Sequence, residues 1–140
     1  MYRLLYLSAA TELFSKAQLV DLLSKARLKN QDLGVTGILL YKDGDFLQLI
    51  EGERTAVERL YSKIKADPRH TEITVLLAQE CTERLFSDWS MAFRDLTDPE
   101  LKKTPGYSDF MNTPLMSQRF KDHPDDGLKL VALFAAPRRR

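Results

Sequence analysis

Four polar side chains stand in stretches that otherwise read as buried: Tyr6 and Ser8 in an N-terminal strand, Asn30 near the end of a helical pattern, and Gln48 in Phe46-Leu47-Gln48-Leu49-Ile50. Gln48 is the most informative. Side chains alternate along a strand, so Phe46, Gln48 and Ile50 share one face while Leu47, Leu49 and Glu51 share the other. A carboxamide therefore stands where an aliphatic residue is expected. Without partners a buried group of this kind costs about 1–3 kcal/mol, so strand neighbours or a ligand must satisfy it. Gln has a donor end and an acceptor end, and the Tyr hydroxyl can play either part. If the strand bearing Tyr6 lies beside the one bearing Gln48, the two come within hydrogen-bond reach. They then either satisfy each other in a closed core or serve a bound molecule.

The elements that position these residues follow from the pattern around them. Residues 34–52 hold two apolar runs about a central Asp43-Gly44, the pair that best tolerates the positive φ of a tight primed turn, so the stretch is a β-hairpin. Residues 2–8 form a first strand, with Tyr2, Leu4, Tyr6 and Ser8 facing one way and Arg3, Leu5 and Leu7 the other. Ser15 and Gln18 match a capping box, and Leu19, Leu22, Leu23 and Ala26 give the helix after it one apolar face, with Gly34 as its stop. A helix between that strand and the hairpin makes a right-handed crossover the default, running strand one parallel to a hairpin arm.

Thr55-Ala56-Val57-Glu58 repeats the capping-box pattern, Val57, Leu60, Tyr61 and Ile64 supply a second helical stripe, and Asp67-Pro68 ends it. Strands at 73–79 and 89–93 complete the order βαββαββ. This predicts an α+β, ferredoxin-like fold with a five-stranded mixed sheet and both helices on one face. Residues 1–95 form this core. Residues 96–140 form a helical tail: its prolines keep helices short, and 128–134 reads as a helix covering the other sheet face, an output or association surface.

The whole chain narrows the chemistry. With 140 residues and a net charge of +1, it suits one domain and gives no general attraction for nucleic acid or membrane. Three terminal arginines, Arg138 to Arg140, add only a weak, salt-screened charge. One cysteine, Cys81, cannot form an internal disulfide, and no metal-ligand spacing occurs; a cytoplasmic setting is expected. No signal peptide or membrane-spanning run is legible. Phosphate loops, nucleophile elbows and metalloprotease histidine pairs are absent, so no enzyme is expected. His70, in Asp67-Pro68-Arg69-His70, is a candidate polar contact or a loop decoration.

Taken in order, Leu4-Leu5-Tyr6-Leu7-Ser8, Asn30, Gly34-Val35-Thr36-Gly37-Ile38-Leu39, Phe46-Leu47-Gln48, Ile50-Glu51-Gly52, Asp67-Pro68-Arg69-His70 and Trp89-Ser90-Met91 resemble the BLUF family of blue-light sensors using FAD. The resemblance covers residues 2–93 and implies a flavin bound non-covalently: FAD, with FMN or riboflavin as alternatives. It implies an isoalloxazine ring between the helices, flanked by Leu22 and Ile64, with Asn30 on its pyrimidine edge and Gln48 between the ring and Tyr6. Lys63, Asp67, Arg69 and His70 match positions near the ring edge, ribityl chain or phosphate, and Ser8 is counted with the cofactor-binding residues. Lys29 stands where relatives more often carry Asn or His. Tyr6 and Gln48 become the photoactive pair, and Trp89 and Met91 a signal gate into the tail.

The same resemblance implies a stand-alone photoreceptor, often self-associating into a homo-oligomer, that acts on a separate effector protein such as a cyclic-di-GMP phosphodiesterase or a transcriptional regulator. Two other readings of the residues stay open. A small enzyme of the acylphosphatase type would need an anion-cradling Arg after strand one, where this chain has Ser8-Ala9-Ala10-Thr11-Glu12. A ligand-free interaction module would need only the fold.

Overall fold

Asp43 and Gly44 both adopt positive φ, 49° and 90°, and this primed turn reverses β2 (Thr36–Lys42) directly into β3 (Asp45–Gly52). The computed structural model describes residues 1–12, 14–86, 91–96, 115 and 118–134. β1 (Tyr2–Ala10) lies antiparallel to β3 on one side and to β4 (His70–Glu80) on the other. β5 (Ala92–Asp95) runs parallel to β2, giving the strand order β4-β1-β3-β2-β5. β1 and β2 thus share a direction, as the crossover argument requires, with β3 inserted between them.

The first helix, α1 (Lys16–Leu33), starts at the expected capping box. The Ser15 hydroxyl accepts the Gln18 N–H at 3.1 Å, and the Gln18 side chain accepts the Ser15 N–H at 2.8 Å. Gly34, with φ 69°, ends it by donating to the Asn30 and Gln31 carbonyls. The second helix departs from expectation at its start. α2 (Arg54–Ala66) has Glu53 as its N-cap and no side-chain cap bond. The Glu58 carboxylate, which would have closed a box on Thr55, instead accepts from Arg54 Nε at 3.2 Å.

Two apolar layers flank the sheet. On one face Leu4, Tyr6, Phe46 and Ile50 pack against Leu19 and Leu23 of α1 and Val57 and Leu60 of α2. On the other, Leu5, Leu7, Leu47 and Leu49 pack against Phe120 of α3 (Gln118–Asp122) and Leu130 and Val131 of α4 (Pro124–Ala132). This is the ferredoxin-like α+β architecture read from the pattern, with C-terminal helices on the second face.

Two strands are longer than expected, β1 reaching Ala10 and β4 starting at His70. Among the described residues the last strand, expected over 89–93, is β5, which pairs with β2 from Ala92 opposite Ile38 and runs on to Asp95. Trp89 and Arg138 to Arg140 lie outside the described residues. Among those described, no helix is long and apolar enough to cross a membrane, and no group of His, Cys, Asp and Glu is placed to hold a metal.

Candidate functional site

The β1–β3 register sets Tyr6 directly opposite Gln48, with both side chains on the face covered by α1 and α2. Tyr6 donates its hydroxyl proton to Gln48 Oε1. Gln48 Nε2 in turn donates to the Met91 sulfur at 3.6 Å, just before β5. Tyr6 is fully buried, and desolvation, with Tyr61 nearby at a ring distance of 5.5 Å, pushes its phenol far above the ordinary tyrosine range. The group is therefore a neutral donor.

Gln48 also forms part of the wall of a cavity between α1 and α2. Leu22 and Asn30 line it from α1, Lys63 and Ile64 from α2, and Asp67, Arg69, His70 and Met91 complete it. It encloses about 110 Å³, on a measure by which one water needs about 10–15 Å³. The room suits a ligand rather than a single solvent molecule. Asn30, only 1% exposed, brings a second carboxamide to this largely apolar space.

Around the rim the groups are charged or titratable. Arg69 Nη2 meets Asp67 Oδ2 at 2.7 Å, and this pairing holds the Asp67 carboxyl below its usual range while raising Arg69. His70 Nδ1 lies 3.3 Å from the Ser8 hydroxyl, its ring is 5.1 Å from that of Phe46, and burial lowers its pKa.

The structure thus brings Leu22, Asn30, Gln48, Lys63, Ile64, Asp67, Arg69, His70 and Met91 to one cavity. Tyr6 and Ser8 are not among its lining residues; each touches it through a partner, Gln48 and His70 respectively. Lys25, Ala26, Lys29, Leu39 and Leu60 line it as well. Helical spacing from Leu22 and Ile64 points to Ala26 and Leu60, and Leu39 is the cross-strand partner of Gln48. An apolar slot with two carboxamides and a cationic rim suits a flat heteroaromatic ring with a polar edge and an anionic tail.

A family model described as sensors of blue light using FAD matches residues 1–92. Photoactivated adenylate cyclase subunit alpha of Euglena gracilis is 43% identical over 91 residues, which make up 64% of this chain and 9% of that protein. The chain spans only about a tenth of the length of the curated relatives it matches. Among solved structures, the dark state of BlrB, a BLUF protein, aligns with a TM-score of 0.79 at 34% identity, covering 96% of this chain and 94% of that one. Klebsiella pneumoniae BlrP1, solved with FMN and cyclic diGMP, aligns with a TM-score of 0.65 at 30% identity, over 91% of this chain and 34% of that one.

Proposed function

This chain belongs to the BLUF family, sensors of blue light using FAD, and from that premise we propose that Tyr6 and Gln48 are its photoactive pair, with the flavin ring held between α1 and α2. The observation that carries this reading is the buried chain of contacts from Tyr6 through Gln48 to Met91, with the Gln48 amide on the cavity wall. Asn30 holds the polar edge of the ring, Leu22 and Ile64 flank it, and Lys63, Arg69 and His70 hold the ribityl and phosphate end. Ser8 orients His70.

When bound, the flavin supplies blue-light absorption and an electron-accepting orbital. Tyr6 supplies the electron. Its raised pKa opposes simple ionisation, whereas loss of an electron makes a phenol strongly acidic, so the proton follows the electron. With the flavin bound, the proton would pass from Tyr6 Oη to Gln48 Oε1 while Gln48 Nε2 gives one up to the ring, and electron and proton would both return when the charges recombine. Once Tyr6 has recovered both, Gln48 is left rotated or in its other tautomer, and its donor no longer points at the Met91 sulfur.

One exchanged hydrogen bond is worth about 0.5–1.5 kcal/mol net, whereas switching a protein from mostly off to mostly on takes roughly 5.5 kcal/mol. The rearrangement must therefore be amplified. Met91 leads straight into β5, and with Trp89 it forms the gate through which the signal reaches the tail beyond residue 95. The helices there contact a separate effector protein, a cyclic-di-GMP phosphodiesterase or a transcriptional regulator, and a second copy of the chain. Support comes from relatives whose sensor is joined to an output: the Euglena protein is a photoactivated adenylate cyclase, and BlrP1 was solved with cyclic diGMP.

The test is optical. The chain loaded with FAD should be yellow, shift its absorption to the red under blue light, and relax in darkness. A spectrum unchanged by illumination would overturn the proposal.

A further inference from the structure

Met91 is 1% exposed and is held at two atoms by two different elements. Its sulfur receives the Gln48 amide at 3.6 Å from β3, and its carbonyl receives Arg27 Nε at 2.9 Å from α1. These holds differ in strength, since a thioether is a weak acceptor whereas a guanidinium donating to a carbonyl makes a charge-assisted bond. Arg27 is not among the residues lining the cavity, although Ala26 beside it is.

We infer that Arg27 is the positioning residue of the light switch, the group that latches the start of β5 in the dark and sets how far Met91 moves when Gln48 turns. This rests on the Tyr6–Gln48 reading above. Rotation of Gln48 removes only the weaker hold, so release of β5 depends on the Arg27 bond. The same bond ties the strand to a helix that forms one wall of the ligand cavity, so ring and strand report to one another through α1.

The upstream end of the connection from β4 is fastened independently. Leu85 N–H reaches the buried Glu51 carboxylate at 3.0 Å and Phe86 N–H reaches it at 3.1 Å. Arg84 donates to the Thr36 hydroxyl at 2.9 Å and to the Glu51 carbonyl at 3.3 Å. None of these bonds involves Gln48 or the cavity. Residues 84–86 are thus held by bonds that a turn of Gln48 leaves intact.

Hydrogen exchange of residues 92–95 in the full flavin-loaded chain, in darkness and under continuous blue light, tests this. In the unaltered protein, light should speed exchange there. In Arg27→Ala the dark rate should rise about tenfold or more, the factor expected for one lost charge-assisted bond. Light should then speed exchange further still, because the Gln48–Met91 contact is the last of the two holds left, while the red shift persists. Arg27→Lys, which keeps one cationic donor, should bring the dark rate part of the way back. Wild-type exchange in both light states of Arg27→Ala, with the red shift intact, would overturn the role of Arg27 alone. A yellow unaltered protein without a red shift would bring down the Tyr6–Gln48 reading and this inference together.

Discussion

Tyr6 and Gln48 face each other as register partners on β1 and β3, and the phenol donates to the carboxamide oxygen in a site closed to solvent on the tyrosine side. Forty-two positions separate them in sequence. The sheet alone brings them together, and the cavity beyond Gln48 gives the amide its second neighbour.

Gln48→Leu keeps the size and apolar character of the site but strands the Tyr6 hydroxyl. Unfolding of the flavin-free chain in urea should show a loss of about 1–3 kcal/mol. Combining it with Tyr6→Phe should recover most of that loss, since neither polar group is then left unpaired. Additive losses would mean that the two side chains are not coupled.

In the proposed site Asn30 meets the ring rather than the tail of the ligand. Asn30→Ala should weaken FAD, FMN and riboflavin by the same factor, about two- to tenfold, the equivalent of one hydrogen bond. Titration followed by flavin fluorescence measures this. Loss confined to FAD would place Asn30 at the other end of the molecule.

Glu51 carries a structural load on the opposite sheet face. It is fully buried, accepts the Leu85 and Phe86 amides, and meets Arg3 Nε at 3.2 Å. Glu51→Ala should cost about 3–5 kcal/mol, the range for deleting one partner of a buried ion pair. A thermal melt within a degree or two of the unaltered protein would contradict this.

His70 makes stability depend on pH. Burial lowers its pKa below the ordinary histidine value of about 6.5. Between the lowered value and 6.5 the unfolded chain binds more protons than the folded one, so stability falls as pH drops through that window. Asp67, also held below its ordinary value, adds its own loss only below about pH 4. Melting points near pH 7 and near pH 5.5 should differ in the unaltered chain and converge in His70→Gln. Equal slopes in both proteins would assign the effect elsewhere.

What the sequence made legible was whatever local pattern decides. Asp43-Gly44 specifies its turn, Ser15 and Gln18 satisfy each other within one helical turn, and Gln48 stands out because period-two alternation places it among aliphatics. At Thr55 the pattern misled: the helix starts one residue earlier, at Arg54, and Glu58 pairs with that arginine. Trp89, Met91 and Phe93 alternate like a strand, and among the described residues β5 pairs with β2 from Ala92. Arg27 and Glu51 were not legible at all. Apart from the Arg3 pairing of Glu51, their partners are backbone atoms of a segment 34 to 64 positions away, and no periodicity encodes such a contact.

The central claim is that Tyr6 gives up an electron and a proton through Gln48. Absorption of flavin-loaded Tyr6→Phe before and after blue light tests it most directly, because phenylalanine fills the same space without the hydroxyl. The variant should be yellow and show no reversible red shift, whereas a shift and dark recovery like those of the unaltered chain would contradict the account.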